Sequence, residues 1–392
     1  MELDHHLHAR LRQRVEDGLT RQRWICDSPQ QPIRQLGDKS YINFSSNDYL
    51  GLAADTRLVE AMINALNTQG VGSGASHLTA GHHRAHHQLE EALAEFTGRE
   101  KALVFSSGYM ANLGVITALM GKDGAIFQDK LNHASLLDAA KLSDAASRRF
   151  PHLDYAALDR MLSASSSQQR LVVSDGVFSM DGDRVDGRRL ADLCQQHKAW
   201  LMLDDAHGFG VLGEQGGGCA ELEGLNQQQL PILVGTLGKA FGTSGAFVAG
   251  SAVLIDTLVQ FSRTYIYTTA MPPAIAQATL TSLTIVQSES WRREKLNTLI
   301  AKFRQGCESL GIPLMHSTTP IQPILVGESE LAVSLSEALK EAGFWITAIR
   351  PPTVPLGMAR LRVTLTVSHT EAQVEHLLNV LADQWSHLNA QN

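Results

Sequence analysis

The chain has 392 residues, 44% of them hydrophobic, which is enough for one large domain with a smaller companion. Basic residues number 33 against 40 acidic ones, a net charge of -7, and this excludes the basic surface that nucleic-acid binding requires. No apolar run approaches the ~18 residues of a membrane span. The N-terminal MELDHHLHARLRQRV lacks the apolar stretch of a secretory signal, so a soluble, cytoplasmic protein is expected. Cys26, Cys194, Cys219 and Cys307 lie far apart with no CxxC pair, which predicts reduced thiols.

In chain order, Leu7, Leu11, Val15 and Leu19 recur at near-helical spacing among charges and predict a helix over residues 1–25. A short strand is expected at 41–44, followed by the turn-rich SSNDYLGL. From Lys101 the pattern changes to short apolar runs alternating with helical stretches. ALVF (102–105) leads into a helix beginning near Ser107, AIFQ (125–128) into ASLLDAAKL, and LVVS (171–174), after a loop, into DGRRLADLCQQH. WLMLDD (200–205) and ILVGT (232–236) are two further buried strands. Continuous apolar strands separated by helices imply an α/β architecture with a mostly parallel sheet covered on both faces. Beyond residue 287, amphipathic helices such as SWRREKLNTLIAKFRQGCESL and strands such as PIQPILVG and RLRVTLT indicate a smaller α+β domain. The expected division is an N-terminal arm over 1–45 that packs with the small domain, a large domain over 46–286 and a small domain over 287–392.

Ligands of such sheets sit beyond the carboxyl ends of the strands. That rule selects Ser107–Tyr109, His133, Ser179, Asp204–His207 and Thr236–Lys239, which are scattered in sequence but share one rim. In GTLGKAFGTSGAF (235–247), Lys239 leaves a buried strand among small and apolar neighbours. Desolvation there lowers a lysine's pKa and makes its amine nucleophilic. The spacing is not that of a Walker loop. Asp204 ends an apolar run, and a carboxylate at a buried strand end needs a cationic partner. Asp205, pointing the other way, is the better candidate for capping a turn. Ser107, Gly108 and Tyr109 open a helix, where backbone N–H groups form a phosphate site, although Ser107 as a plain N-cap would look the same. His133, in KLNHASLLD, is placed to stack on an aromatic ring.

NFSSNDYLGL (43–52), GVFSMDGD (176–183), DDAHGFGVLGEQG, TLGKAFGTSGA and RPPTVPLGMARLRVTLT (350–366) together resemble the α-oxoamine synthases among the fold-type I pyridoxal-phosphate enzymes, over nearly the whole chain. The resemblance implies pyridoxal 5'-phosphate bound as a Schiff base to Lys239. It implies Asp204 on the pyridine nitrogen, His207 and Ser179 near the phenolic oxygen, His133 on the ring face, and Ser107, Gly108, Tyr109 and Thr236 around the phosphate. Thr268 or Thr269 would reach the phosphate of the second subunit of a homodimer with shared active sites. Asn47 and Arg362 would bind the amino-acid carboxylate, and Arg21 and Thr353 would contact substrate. Lys239 would also move the Cα proton, and His133 would assist at the acyl carbonyl. The last motif points to the branch that condenses L-alanine with a pimeloyl thioester of coenzyme A or a carrier protein, with glycine-using synthases as the alternative.

Two positions depart from the family pattern: His77 in GSGASHLTAG, where glycine is usual, and Asp175, where glutamate is usual. Neither is expected to touch the cofactor residues. A dinucleotide-binding oxidoreductase is disfavoured because no GxGxxG with a following acidic residue occurs. The histidines at 5, 6 and 8, and those at 82, 83, 86 and 87, are expected to be solvated surface, with no third ligand or partner carboxylate evident and no metal bound.

Overall fold

The computed structural model describes residues 2–390, the side chains of 387–390 excepted. Its strands, in chain order, are β1 (Ile33–Leu36), β2 (Lys39–Asn43), β3 (Lys101–Phe105), β4 (Gly124–Asp129), β5 (Ala146–Phe150), β6 (Gln169–Asp175), β7 (Trp200–Asp204), β8 (Ile232–Thr236), β9 (Ala246–Gly250), β10 (Ile321–Gly327), β11 (Phe344–Trp345), β12 (Thr347–Ile349) and β13 (Ala359–Thr364). Seven form the main sheet in the order β3-β9-β8-β7-β6-β4-β5. Neighbours from β8 to β5 run parallel, whereas β9 is antiparallel to both β8 and β3. The expected α/β sheet, mostly parallel and covered by helices, is therefore present, with β9 as its antiparallel member.

Alternation explains why the strands read as unbroken apolar runs. Leu171 and Val173 of β6 pack with Val115 and Leu136 on one face, while Val172 packs with Leu158 and Leu190 on the other. Both faces are buried, so no polar phase remains in the sequence. β5 escaped sequence reading because its ASRRF is mostly exposed at the sheet edge. β9, AFVAG, directly follows the lysine loop and was not separable from it by pattern.

The N-terminal helix is shorter than its apolar spacing predicts. It runs over Glu2–Glu16 with no buried residue, and Gly18 (φ +63) then turns the chain away. Glycine loses more backbone entropy in a helix than alanine does, so the helix ends there at little cost. The β1–β2 hairpin was not anticipated either. It carries β11 as a third, parallel strand through Phe344 opposite Ile42. β10, β13 and β12 form another small sheet.

The histidine-rich start of the helix Arg84–Thr97 is not solvated surface throughout, contrary to expectation. His86 is fully buried, donates Nε2–H to the carbonyl of Met271 (2.8 Å) and accepts the His83 N–H at Nδ1 (3.0 Å). Its neighbour His77 is also buried and stacks on Tyr265.

Two contacts, one buried and one half-buried, pin the loop after β6. Arg360 of β13, 1% exposed, pairs with Asp181 at 2.6 Å. His152 bridges Asp129 (3.0 Å) and Asp183 (2.7 Å). Burial opposes the His152 charge, but the two carboxylates outweigh it and hold its pKa up at about 10. Since the unfolded value is about 6.5, the stabilisation is whole below that pH and is lost as pH rises through the folded pKa. Replacing His152→Gln should destabilise the protein by about 1.5–3 kcal/mol, the range for hydrogen bonds to charged groups. In urea unfolding the gap between the two proteins should close above about pH 10. An equal gap at all pH values would mean that His152 acts by packing alone.

Candidate active site

The carboxyl ends of β4, β6, β7 and β8 open on a cavity of about 200 Å³. Gly108, Tyr109, His133, Ser179, Asp204, His207, Thr236 and Lys239 all line it. Each arrives from a different local device. Ser107 is the N-cap of the helix Gly108–Leu119, its hydroxyl accepting the Met110 N–H at 3.2 Å, and this leaves the Gly108 and Tyr109 N–H groups facing outward without intrahelical acceptors. His133 caps the helix Ala134–Leu142 in the same way. Lys239 sits in a loop closed by the hydrogen bonds Leu237 N–H to Gly245 O and Gly242 N–H to Lys239 O, both 2.9 Å. Gly242 has φ +65, and a Cβ there would lie 2.4 Å from the Ala53 nitrogen, so only glycine fits the loop against that backbone.

Asp204 and Asp205 diverge as alternation requires. Asp204 turns into the cavity, where Oδ2 accepts the Asn112 amide at 2.6 Å and Oδ1 accepts the Ala206 N–H. Asp205 turns away and accepts the Cys219 N–H at 2.5 Å in the first turn of the helix Gly218–Glu223, with burial raising its pKa to about 7.

A continuous hydrogen-bonded chain starts at the lysine. Lys239 Nζ lies 2.8 Å from His207 Nε2, and His207 Nδ1 lies 2.6 Å from the Tyr49 hydroxyl. That hydroxyl donates to Asn47 Oδ1 (3.3 Å), which also accepts Arg362 Nη2–H (3.2 Å). Arg362 additionally donates Nε–H to the Ser179 carbonyl at 2.6 Å. One assignment satisfies every member: Lys239 donates to a neutral His207, whose Nδ1–H donates to Tyr49. Burial, reinforced by the charges of Lys239 and Arg362, pushes the His207 pKa well down and keeps the ring neutral. Burial also raises Tyr49 to about 12, so it stays protonated. For Lys239, burial lowers the pKa to about 8, with the Asp204 and Asp175 carboxylates opposing the shift.

Asn47 and Arg362 thus join the site through this chain rather than by lining the cavity. Thr353 lines an adjoining cavity of about 600 Å³ that shares His133 and Ser179 with the first. Arg21, Thr268 and Thr269 line neither cavity. Three participants escaped sequence reading. Asn112 is a buried amide on an otherwise apolar helix face, which is a usable signal; Ser135 bridges Asn112 and His133; Tyr49 lies two residues past Asn47. The expectation that Asp175 stays clear of the cofactor residues is wrong. It ends β6 on the same rim, lines the cavity and accepts the His133 N–H at 2.8 Å. Burial and then the nearby Asp204 push its pKa well up.

Comparison with known proteins follows the same lines. The model for aminotransferase class I and II matches residues 39–381. An 8-amino-7-oxononanoate synthase from Saccharophagus degradans is 55% identical over 98% of this chain and 97% of its own. The chain belongs to the class I and II aminotransferase family, in its 8-amino-7-oxononanoate synthase branch. Among solved structures, a serine palmitoyltransferase from S. paucimobilis with a bound adduct of pyridoxal phosphate and myriocin superposes with TM-score 0.92 at 29% identity, covering 98% of each chain. An 8-amino-7-oxononanoate synthase from Francisella tularensis gives 0.78 at 32%, covering 89% of this chain and 99% of that one. The backbone is thus common to several chemistries, and the sequence places the branch. Among the described residues, no helix is long and apolar enough to cross a membrane.

The residues present fit pyridoxal phosphate. A Cβ added to Gly108 would meet nothing closer than Ala246 Cβ at 4.0 Å, so protein packing does not explain the glycine. An anion seated against the Gly108 and Tyr109 N–H groups at a helix N-terminus does explain it. Asp204 supplies the carboxylate for a protonated ring nitrogen and Lys239 an amine that loses its proton near pH 8 rather than 10.5. In protein freed of cofactor, borohydride-stable incorporation of pyridoxal phosphate at Lys239 should accelerate as pH rises through about 8. A midpoint near the ordinary 10.5 would contradict the desolvation argument.

Proposed function

We propose that this chain condenses L-alanine with a pimeloyl thioester to give 8-amino-7-oxononanoate, carbon dioxide and a free thiol, a step of biotin biosynthesis. The observation that carries the chemistry is the buried chain from Lys239 through His207, Tyr49 and Asn47 to Arg362, opening on the cavity that Asp204 also lines. Pyridoxal phosphate, when bound, supplies the electron sink that takes up the pair left at Cα. Lys239 would hold the cofactor covalently, Asp204 would keep its ring nitrogen protonated, and the N-terminus of the helix Gly108–Leu119 with Thr236 would receive its phosphate. His133, fixed by Asp175 behind its N–H and by Ser135 at Nδ1, would pack on the ring.

Arg362 offers a guanidinium to the alanine carboxylate, with Asn47 beside it. With the cofactor and amino acid bound, Lys239 Nζ would be the group to take the Cα proton and to return one after carbon dioxide leaves. A pKa of about 8 suits it to both transfers near neutral pH. The adjoining cavity, lined by Thr353, Pro352, Pro355, Lys130 and Arg149, has room for the acyl chain beside His133. Arg21 contacts the donor in this reading. Thr268 and Thr269, which line neither cavity of their own chain, reach the phosphate of the second subunit of a homodimer.

Thiol release should be measured with L-alanine, glycine and L-serine, each against pimeloyl, acetyl and succinyl thioesters of coenzyme A. Turnover is expected only with alanine and the pimeloyl donor, and turnover only with glycine would overturn the specific reading. Replacing Arg362→Lys loses the planar fork and should raise KM for alanine by about 10- to 100-fold, the cost of a charge-assisted pair of hydrogen bonds. An unchanged KM would remove Arg362 from carboxylate binding.

A further inference from the structure

A second group of ligating side chains lies away from the cofactor cavity, at the start of the helix Arg84–Thr97. A ring nitrogen of His82, one of His87 and a carboxylate oxygen of Glu90 all lie within 4.8 Å of one another. They line a separate cavity of about 510 Å³ that also reaches β3 and the helix Ala252–Phe261. His87 and Glu90 are three residues apart on one helix and so share a face, while His82 comes in from the segment before it.

No two of these three side chains hydrogen-bond to each other, and His87 Nε2 lies 3.3 Å from Glu91 Oε1, a contact that an ion would displace or share. Glu90 Oε1 accepts the Val104 N–H at 3.0 Å, whereas Oε2 lies 3.9 Å from His82 Nε2, too far for a direct hydrogen bond. His82 Nδ1 lies 2.9 Å from His77 Nδ1. If His82 donates that proton, its Nε2 carries a lone pair toward Glu90. This is the pattern of a metal-bound histidine, whose other N–H is held by an outer partner that fixes tautomer and ring orientation. His77 is itself held by stacking on Tyr265, with ring centroids 4.9 Å apart. His86, although close, has both nitrogens occupied and is no ligand.

Zinc ligands lie about 2.0–2.1 Å from the ion, which sets tetrahedral neighbours about 3.3 Å apart. The 3.9 Å gap needs a closure of about 0.6 Å by side chains that are 31% and 13% exposed, and the other gaps, all within 4.8 Å, close by movement of the exposed His87. Two imidazoles with one carboxylate suit zinc or a neighbouring first-row divalent ion, not calcium or magnesium. The exposed edges of His82 and His87 admit the ion, and three protein ligands leave a fourth position for water.

We propose that His82, His87 and Glu90 bind one zinc ion per chain, with His77 as the outer partner that orients His82. The ion would tie the segment before the helix Arg84–Thr97 to that helix and, through Val104, to the edge strand β3 of the main sheet. The test uses pyridoxal-phosphate-loaded protein with His5, His6 and His8 replaced by alanine, stripped by chelator and titrated calorimetrically with zinc chloride. Saturable binding of one zinc per chain is expected, together with a rise in Tm. It should be lost in His87→Ala, an exposed position, and in Glu90→Gln, which keeps an acceptor for Val104. His77→Phe keeps the stack on Tyr265 and should weaken binding about 10- to 100-fold. Cobalt(II) should give visible bands of a tetrahedral site in the parent protein and not in His87→Ala. No saturable zinc binding, or binding equal in the parent, His87→Ala and Glu90→Gln, would overturn the proposal.

Discussion

Much of this molecule is organised around a lysine amine held where water screens little. Lys239 has carboxylates at Asp204 and Asp175 and a guanidinium at Arg362 within electrostatic reach, and its nearest hydrogen-bond partner is a neutral imidazole. Desolvation wins over the carboxylates and brings the amine close to neutrality. That balance requires every neighbour to be fixed. His207 must stay uncharged, which burial and the adjacent cations enforce. Tyr49 must stay protonated, which its burial ensures. A loose shell would let water in, and both conditions would relax.

The same chain of bonds joins parts of the protein that the sequence keeps far apart. Asn47 and Tyr49 follow the β1–β2 hairpin, His207 follows β7, Lys239 follows β8, and Arg362 lies on β13. Arg360, on the same strand, reaches the loop after β6 through its buried pair with Asp181. Breaking a buried pair strands a charge and costs several kcal/mol, so the strand that carries the carboxylate-binding arginine is anchored by its neighbour two residues away. Alternate residues of a strand face the same way, which is why Arg360 and Arg362 can act on one loop together.

The histidines divide by what surrounds them. His86 is a core residue with both nitrogens satisfied, His152 is a charged strut between two carboxylates, and His207 is a neutral link beside the lysine. His82 faces a Glu90 oxygen at 3.9 Å without a hydrogen bond, and the exposed His87 lies between Glu90 and Glu91. Residue type alone separates none of these cases. Burial, the sign of the neighbouring charge and the number of acceptors decide each.

The sheet, its helices and the rim on which Lys239, Asp204, His207 and His133 meet were legible in the chain, because doubly buried strands leave long apolar runs and the strand-end rule then places the residues that follow them. The divergence of Asp204 and Asp205 was legible too, since strand alternation is a local property. Tertiary structure alone decided the rest. Tyr49, Asn112 and Asp175 enter the site through contacts with residues between 42 and 158 positions away, which no local pattern encodes. The edge strand β5 is exposed and polar, so it carries no apolar signature. The histidines before and within the helix Arg84–Thr97 looked like a solvated run. Only the packing of Tyr265, Met271 and Val104 against them separated a buried core histidine from a candidate metal ligand.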